Sequence, residues 1–381
     1  MKKLLCMLLA AIMMLAVVCV ASAEEADYKI CILTGTTSQG EEEFTAAENL
    51  VAADPEHVVH DTYPDNFSSE VETTISKLIA FASDPATKAI IFVQGVQGAT
   101  SAFTQIKNDL GRDDILLVCG VPAEDPADIS AASDIIFAVD EIGCGYQVAD
   151  LAAEWGCEVI VHYSFPRHMS YETIVGKHDA MKMTAESYGI ELVDRDCPDP
   201  TGDAGMSGAQ AAVIEDVPKV MEEYAGKKVC FYCTNCGLQV ALQQAIADAI
   251  ENGMEAYYAL PCCPSPFHGF QEAFGLDATY GDIEGAIKNL ATYLNGRGAL
   301  DHFSTWAIPV NMAMINASYE YATAYAKGEI EGKIDEALMN AAYSEAAGAE
   351  VELGKYVDAN GNEVGNYYLV CLEPINFADY I

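Results

Sequence analysis

Basic residues are scarce in this chain: 19 lysines and arginines stand against 58 aspartates and glutamates, for a formal net charge of −39. Nucleic-acid binding depends on clustered Lys and Arg that neutralise phosphates, so this balance excludes a nucleic-acid partner. The same charge repels anionic lipid surfaces. Strong catalytic motifs are missing as well: there is no Gly-x-Ser-x-Gly elbow, no His-Glu-x-x-His pair and no Walker loop. No enzyme activity and no cofactor are therefore expected. Beyond residue 23, no apolar run is long enough to span a bilayer.

The N-terminus reads as a secretory signal. Lys2 and Lys3 are followed by an apolar stretch from Leu4 to Val20 and by Ala21-Ser22-Ala23, a small-x-small cleavage pattern. Cys19 would serve as a lipid-modified N-terminus only with a small residue before it, where Val18 stands. Cleavage after Ala23 would leave 17 basic and 58 acidic residues, a net charge of −41, and an extracytoplasmic protein. Of the 13 cysteines, 11 would remain. That odd number of scattered thiols suggests surroundings poor in oxidant.

From Tyr28 onward, short apolar runs alternate with helical stretches. Strands are expected at 29–33, 58–63, 89–94, 115–120 and 135–140. Ala89 to Gln94 is almost free of polar residues, as a strand buried on both faces should be. The rhythm restarts after Asp140, with strands at 158–163, 190–194, 228–233 and 256–260 and late helices at 283–294 and 311–327. Asp358 to Asn362 reads as a turn and Tyr367 to Leu372 as a last strand. The pattern predicts α/β architecture: two successive five-strand, doubly wound parallel-sheet (Rossmann-like) units.

Three segments resemble the type I periplasmic-binding-protein family of sugar- and nucleoside-binding receptors. Lys29 to Gly35 with Gln39-Gly40-Glu41 looks like the family's first strand and ligand-facing loop. Asp140-Glu141 with Gly145-Tyr146-Gln147-Val148-Ala149 looks like the crossover into a second domain. Val229 to Cys233 with Thr234-Asn235-Cys236 is similar to the strand ending in Thr-Asn-Asp, with Cys236 in the place of the Asp. The first loop and Phe303 to Asn311 look closest to an uncharacterised bacterial branch of this fold. The resemblance implies an N-terminal domain of 24–141 plus 303–347 and a C-terminal domain of 142–302 plus 348–381. It also implies a small polar ligand of the sugar or nucleoside class in the cleft between them, and a permease or sensor in the membrane as partner.

Ligands of open α/β sheets bind beyond the carboxyl ends of the strands. That rule selects Thr36, Thr37, Ser38 and Gln39 after the first strand, with a helix start behind them, and Gln94 and Gln97 after the third. In the second unit it selects Tyr163, Phe165, Arg167 and His168, where an aromatic ring and a cation could stack on a ligand and hold a polar substituent. Thr234, Asn235, His268 and, at the return crossover, Trp306 complete the ligand-binding set. Two other readings stay open. Cys230, Cys233, Cys236, Cys262 and Cys263 could hold zinc or an iron–sulfur cluster, or Cys236 could form a disulfide with Cys262 or Cys263. Cys236 with His268 could also make the thiolate–imidazole pair of a hydrolase.

Overall fold

The computed structural model describes residues 28–259, 266–277, 282–358 and 360–381, without the side chains of residues 236 and 266–268. The expected secretory leader, Cys19, Cys262 and Cys263 lie outside the described residues. No helix among the described residues is long and apolar enough to cross a membrane.

The first unit runs β1 (Lys29–Thr34), α1 (Thr37–Ala53), β2 (Val58–Thr62), α2 (Val71–Ser83), β3 (Thr87–Val93), α3 (Ala99–Asn108), β4 (Leu116–Gly120), α4 (Pro126–Ala132) and β5 (Ile135–Val139). The second runs α5 (Glu141–Glu154), β6 (Val159–Ser164), α6 (Glu172–Tyr188), β7 (Glu191–Asp196), α7 (Gly205–Glu223), β8 (Val229–Cys233), α8 (Cys236–Glu251), β9 (Ala256–Tyr258), α9 (Pro266–Phe274) and α10 (Ile283–Gly296). The chain closes with α11 (Val310–Ala326), α12 (Glu336–Ala347), β10 (Gly354–Val357) and β11 (Glu363–Val370).

Two sheets result, ordered β10-β11-β5-β4-β3-β1-β2 and β7-β6-β8-β9. All pairings are parallel except the β10–β11 hairpin. Alternation along each strand divides the first core in two. Ile30, Ile32, Ile91 and Val118 pack with α1 and α11, whereas Leu33, Ile90, Phe92 and Leu117 pack with α2, α3 and α4. Both faces are covered, which is why these strands are apolar throughout.

One domain boundary is corrected. Residues 354–370, expected in the C-terminal domain, form β10 and β11 of the first sheet. β11 lies parallel to β5, with Tyr367 opposite Ile136 and Val370 opposite Val139. The apolar edge of β5 needed a partner, and this late strand supplies it. Only the terminal turn, Phe377–Tyr380, returns to pack on α10. Among the described residues the second sheet holds four strands, extended by a bridge between Tyr258 and Phe303.

Helices α5 and α6 pack closely because Gly145 has no side chain. A Cβ built there would strike the backbone carbonyl of Lys177. Gly145→Ala is therefore expected to lower stability by about 1–3 kcal/mol, because backbone yields less readily than a side-chain tip. The urea midpoint reads the effect, and an unchanged midpoint would show that the two helices separate at no cost.

Candidate functional site

The chain passes between the two sheets three times. The first crossing leaves β5 through Asp140, whose side chain accepts from Gly143 N at 2.8 Å and caps α5. The second runs from Phe303 to α11, and the third from Val370 to the terminal turn. Gln147 of α5 ties all three together. Its Nε2 donates to the Leu372 carbonyl at 2.7 Å, and its Oε1 accepts from Trp306 Nε1 at 3.1 Å. Trp306 bridges to Pro374, and Ile375 N donates to the Thr305 carbonyl at 2.8 Å. The first and third crossings leave carboxyl ends of the first sheet, and the second begins beside the end of β9, where Ser304 N meets the Tyr258 carbonyl. Loops beyond the carboxyl ends of both sheets thus flank the junction, the position where open α/β sheets take ligands.

In the first domain the β1 loop gathers around Asp65. Thr36 Oγ1 donates to Asp65 Oδ1 at 2.5 Å, Ser38 Oγ does so at 2.8 Å, and Gln39 Nε2 reaches the Asp65 carbonyl at 3.3 Å. The hydroxyls of Thr36 and Ser38 hold this carboxyl below its usual range. Thr36 also caps α1 by accepting from Ser38 N. Thr37 and Gln97 are exposed. Gln94 has the uncommon positive φ of 48° and turns inward, donating to Glu43 Oε1 at 2.6 Å. Asn311 of α11 donates to the other oxygen of Glu43 at 3.2 Å. Glu43 is 1% exposed, and burial raises its pKa. Its side chain folds back over Gly40, where any Cβ would run into the carboxylate.

In the second domain the ends of the adjacent strands β6 and β8 share a polar cluster. Ser164 Oγ and Thr234 Oγ1 are 2.8 Å apart. His168 Nδ1 stands 3.3 Å from Thr234 Oγ1, and its Nε2 stands 3.3 Å from Asn235 Nδ2. Asn235 caps α8 through Gly237 N at 2.9 Å. Arg167 clasps Asp199 with two bonds, of 2.6 and 2.9 Å, which hold the Asp199 carboxyl well below its usual range.

Three aromatic rings of the expected ligand-binding set lie inside the protein instead. Tyr163 is 1% exposed, stacks on Phe231 and donates to Asp216 Oδ2 at 3.0 Å. Phe165 is fully buried against the His168 ring, 4.2 Å between centroids, and Trp306 is the packed centre of the crossings. On a strand covered on both faces every second residue goes to core either way, so strand-end aromatics fill the interior first. His268 lies in α9, and its side chain is outside the described residues.

Of the five cysteines read as a cluster, the structure describes the side chains of Cys230 and Cys233. Cys230 and Cys233 are three apart on β8 and so face opposite sides of the sheet. Cys230 meets Cys157, and burial pushes it well above the ordinary thiol value. Cys197 donates to the Ser164 carbonyl at 3.3 Å, and burial pushes its pKa up to about 12. Protonated buried thiols are poor nucleophiles and poor ligands.

Asp65, Glu43, Ser164, Asp199, Gln147 and Asn311 are the site residues that sequence reasoning missed. Asn311 closes the quoted Phe303 to Asn311 segment, and Glu43 stands in an acidic run that gave no sign which member turns inward.

Comparisons with known proteins agree with this geometry. A protein of Treponema pallidum (strain Nichols), described as uncharacterized, is 34% identical over 183 residues, covering 46% of this chain and 82% of its own length. A second from the same strain is 33% identical over 158 residues, covering 42% of this chain and 72% of its own. Among solved structures, a candidate transcriptional regulator from Clostridium difficile 630 superposes with a TM-score of 0.80 at 18% identity, over 92% of this chain and 99% of that one. A periplasmic solute-binding protein of an ABC transporter from Actinobacillus succinogenes 130z, with bound D-allose, gives 0.53 at 11% identity, over 93% and 99%. A sugar ABC transporter protein from Actinomyces odontolyticus ATCC 17982 gives 0.56 at 10%, over 94% and 98%. At such identities these structures speak for the fold alone. The family described as "Protein of unknown function (DUF3798)" matches residues 28–304, and the chain belongs to that family, on the two-domain scaffold of the periplasmic sugar-binding receptors.

Proposed function

We propose that this protein is an extracytoplasmic receptor that captures a small polar molecule, of the sugar or nucleoside class, between its two domains. It would hand that molecule to a permease or sensor. One observation carries the reading. The ends of β6 and β8 assemble Ser164, Thr234, His168 and Asn235 into a hydroxyl–imidazole–amide cluster at the carboxyl end of the second sheet. Such a cluster both donates and accepts hydrogen bonds, which suits a polyhydroxylated ligand. The first domain adds Thr36, Thr37, Ser38, Gln39, Gln94 and Gln97, and a junction of three crossings allows hinge closure. Arg167, exposed and held by Asp199, stands at the rim of this cluster as a ligand clamp.

The test is thermal melting of residues 24–381 against sugars, nucleosides, amino acids and metal ions. A sugar or nucleoside at a hundredfold excess over its dissociation constant is expected to add about 2.7 kcal/mol of stability. Arg167→Ala should cut that affinity at least tenfold while leaving the ligand-free melt unchanged. If no sugar or nucleoside moves the midpoint, or if the variant binds as the wild type does, this reading is wrong.

A further inference from the structure

A second polar assembly lies under α6, away from the β6–β8 loop cluster. In the register of the second sheet, His162 of β6 stands directly opposite Asp194 of β7. Directly opposed residues project to the same face. That face is covered by α6, which brings His178 onto the pair. His162 Nδ1 is 2.7 Å from Asp194 Oδ1, and His178 Nε2 is 3.1 Å from the same oxygen and 3.2 Å from Asp194 Oδ2. One ligand atom from each of the three residues falls within 4.8 Å of the others.

We infer that His162, His178 and Asp194 form a binding site for a divalent transition-metal ion of the zinc class. Two imidazoles and one carboxylate are a donor set that suits zinc and its neighbours, and three protein ligands leave a coordination position open. Asp194 has 61% of its side chain exposed, so that open position faces solvent. Around a tetrahedral ion with bonds of about 2.0–2.1 Å, ligand atoms sit about 3.3 Å apart. The spacings of 2.7–3.2 Å to the Asp194 oxygens lie just below that value, so an ion enters by replacing the hydrogen bonds to Asp194 as the side chains move apart.

The surroundings fit the same reading. His162 is 1% exposed and its Nε2 has no hydrogen-bond partner, so its ring is oriented by what Nδ1 meets. The Asp179 carboxylate lies 3.3 Å from Nδ1 of His178, the outer partner that usually fixes a metal-bound imidazole. Lys177, the neighbouring cation on α6, is ion-paired with Glu141 of α5, which anchors the helix and offsets the charge.

The experiment is a Co²⁺ titration of the full mature chain, followed by visible absorption. The expected result is an intense band that saturates at one equivalent and is displaced by Zn²⁺. It should be weakened at least a hundredfold in His178→Ala and in Asp194→Asn, and about tenfold in Asp179→Asn. Asp194 is largely exposed, so Asp194→Asn is the variant that should fold normally, and its metal-free melt is recorded alongside. Absence of a saturating band would overturn the site. So would a band of equal strength in Asp194→Asn, which would put the cation on the acidic surface and leave the trio an imidazole–carboxylate hydrogen-bond network.

Discussion

Replacing Trp306 with alanine is expected to lower the unfolding free energy by about 3–5 kcal/mol, the range for deleting a large buried aromatic. Trp306 is 2% exposed and lies where the second crossing passes the other two. Its indole N–H donates to Gln147, Gln147 donates onward to Leu372, and the ring's own backbone bridges to Pro374. Removal therefore opens a cavity and leaves the Gln147 carbonyl oxygen without its donor. The loss should appear in urea unfolding as a lower midpoint. Trp306→Phe keeps most of the volume but not the donor, so it should recover well over half of the deficit. If Trp306→Ala melted like the wild type, the three crossings would be joined by something other than this contact.

The same residue shows what the sequence could and could not disclose. The strands were legible because a doubly covered parallel strand writes its burial directly, as Ala89 to Val93 does. The first crossing at Asp140 was legible because an acidic cap followed by Gly145 breaks the rhythm. Sheet membership of the last hairpin was not, since β11 could serve either sheet until one knows that β5 has an open edge. Nor does a strand covered on both faces say which side Tyr163 takes. Strand-end loops were found by topology alone, and the structure draws Thr36 and Ser38 onto the Asp65 carboxylate, Gln39 onto the Asp65 main-chain carbonyl, and Thr234, Asn235 and His168 into one cluster. The partners of those residues were invisible because they come from elsewhere in the chain: Asp65 from the next loop, Asn311 from 268 residues beyond Glu43. His162, His178 and Asp194 meet only through strand register and the helix above it, which spacing in sequence does not encode.

Glu43 gives the second large effect, with a sign that pH can test. Glu43→Ala would leave the half-buried Gln94 Nε2 and the buried Asn311 Nδ2 without acceptors, each worth about 1–3 kcal/mol, for a total loss of about 2–6 kcal/mol. Glu43→Gln keeps one acceptor and removes the charge, so it should cost less. Burial is the first cause acting on Glu43, and it raises the folded pKa above the ordinary value of 4.5, outweighing the amide bonds from Asn311 and Gln94. A carboxyl of this kind binds its proton more tightly folded than unfolded. Its contribution is complete below the unfolded pKa and declines as pH rises from 4.5 through the folded value. The glutamine variant lacks that decline. The stability gap between wild type and Glu43→Gln should therefore be widest near pH 4.5 and narrow toward neutrality, measured by urea unfolding at matched ionic strength. A gap that widened with rising pH would mean that the two amides hold Glu43 ionised against burial. Gln94 would then rest on a fixed negative charge, and a cationic ligand would replace the neutral, hydroxyl-rich one.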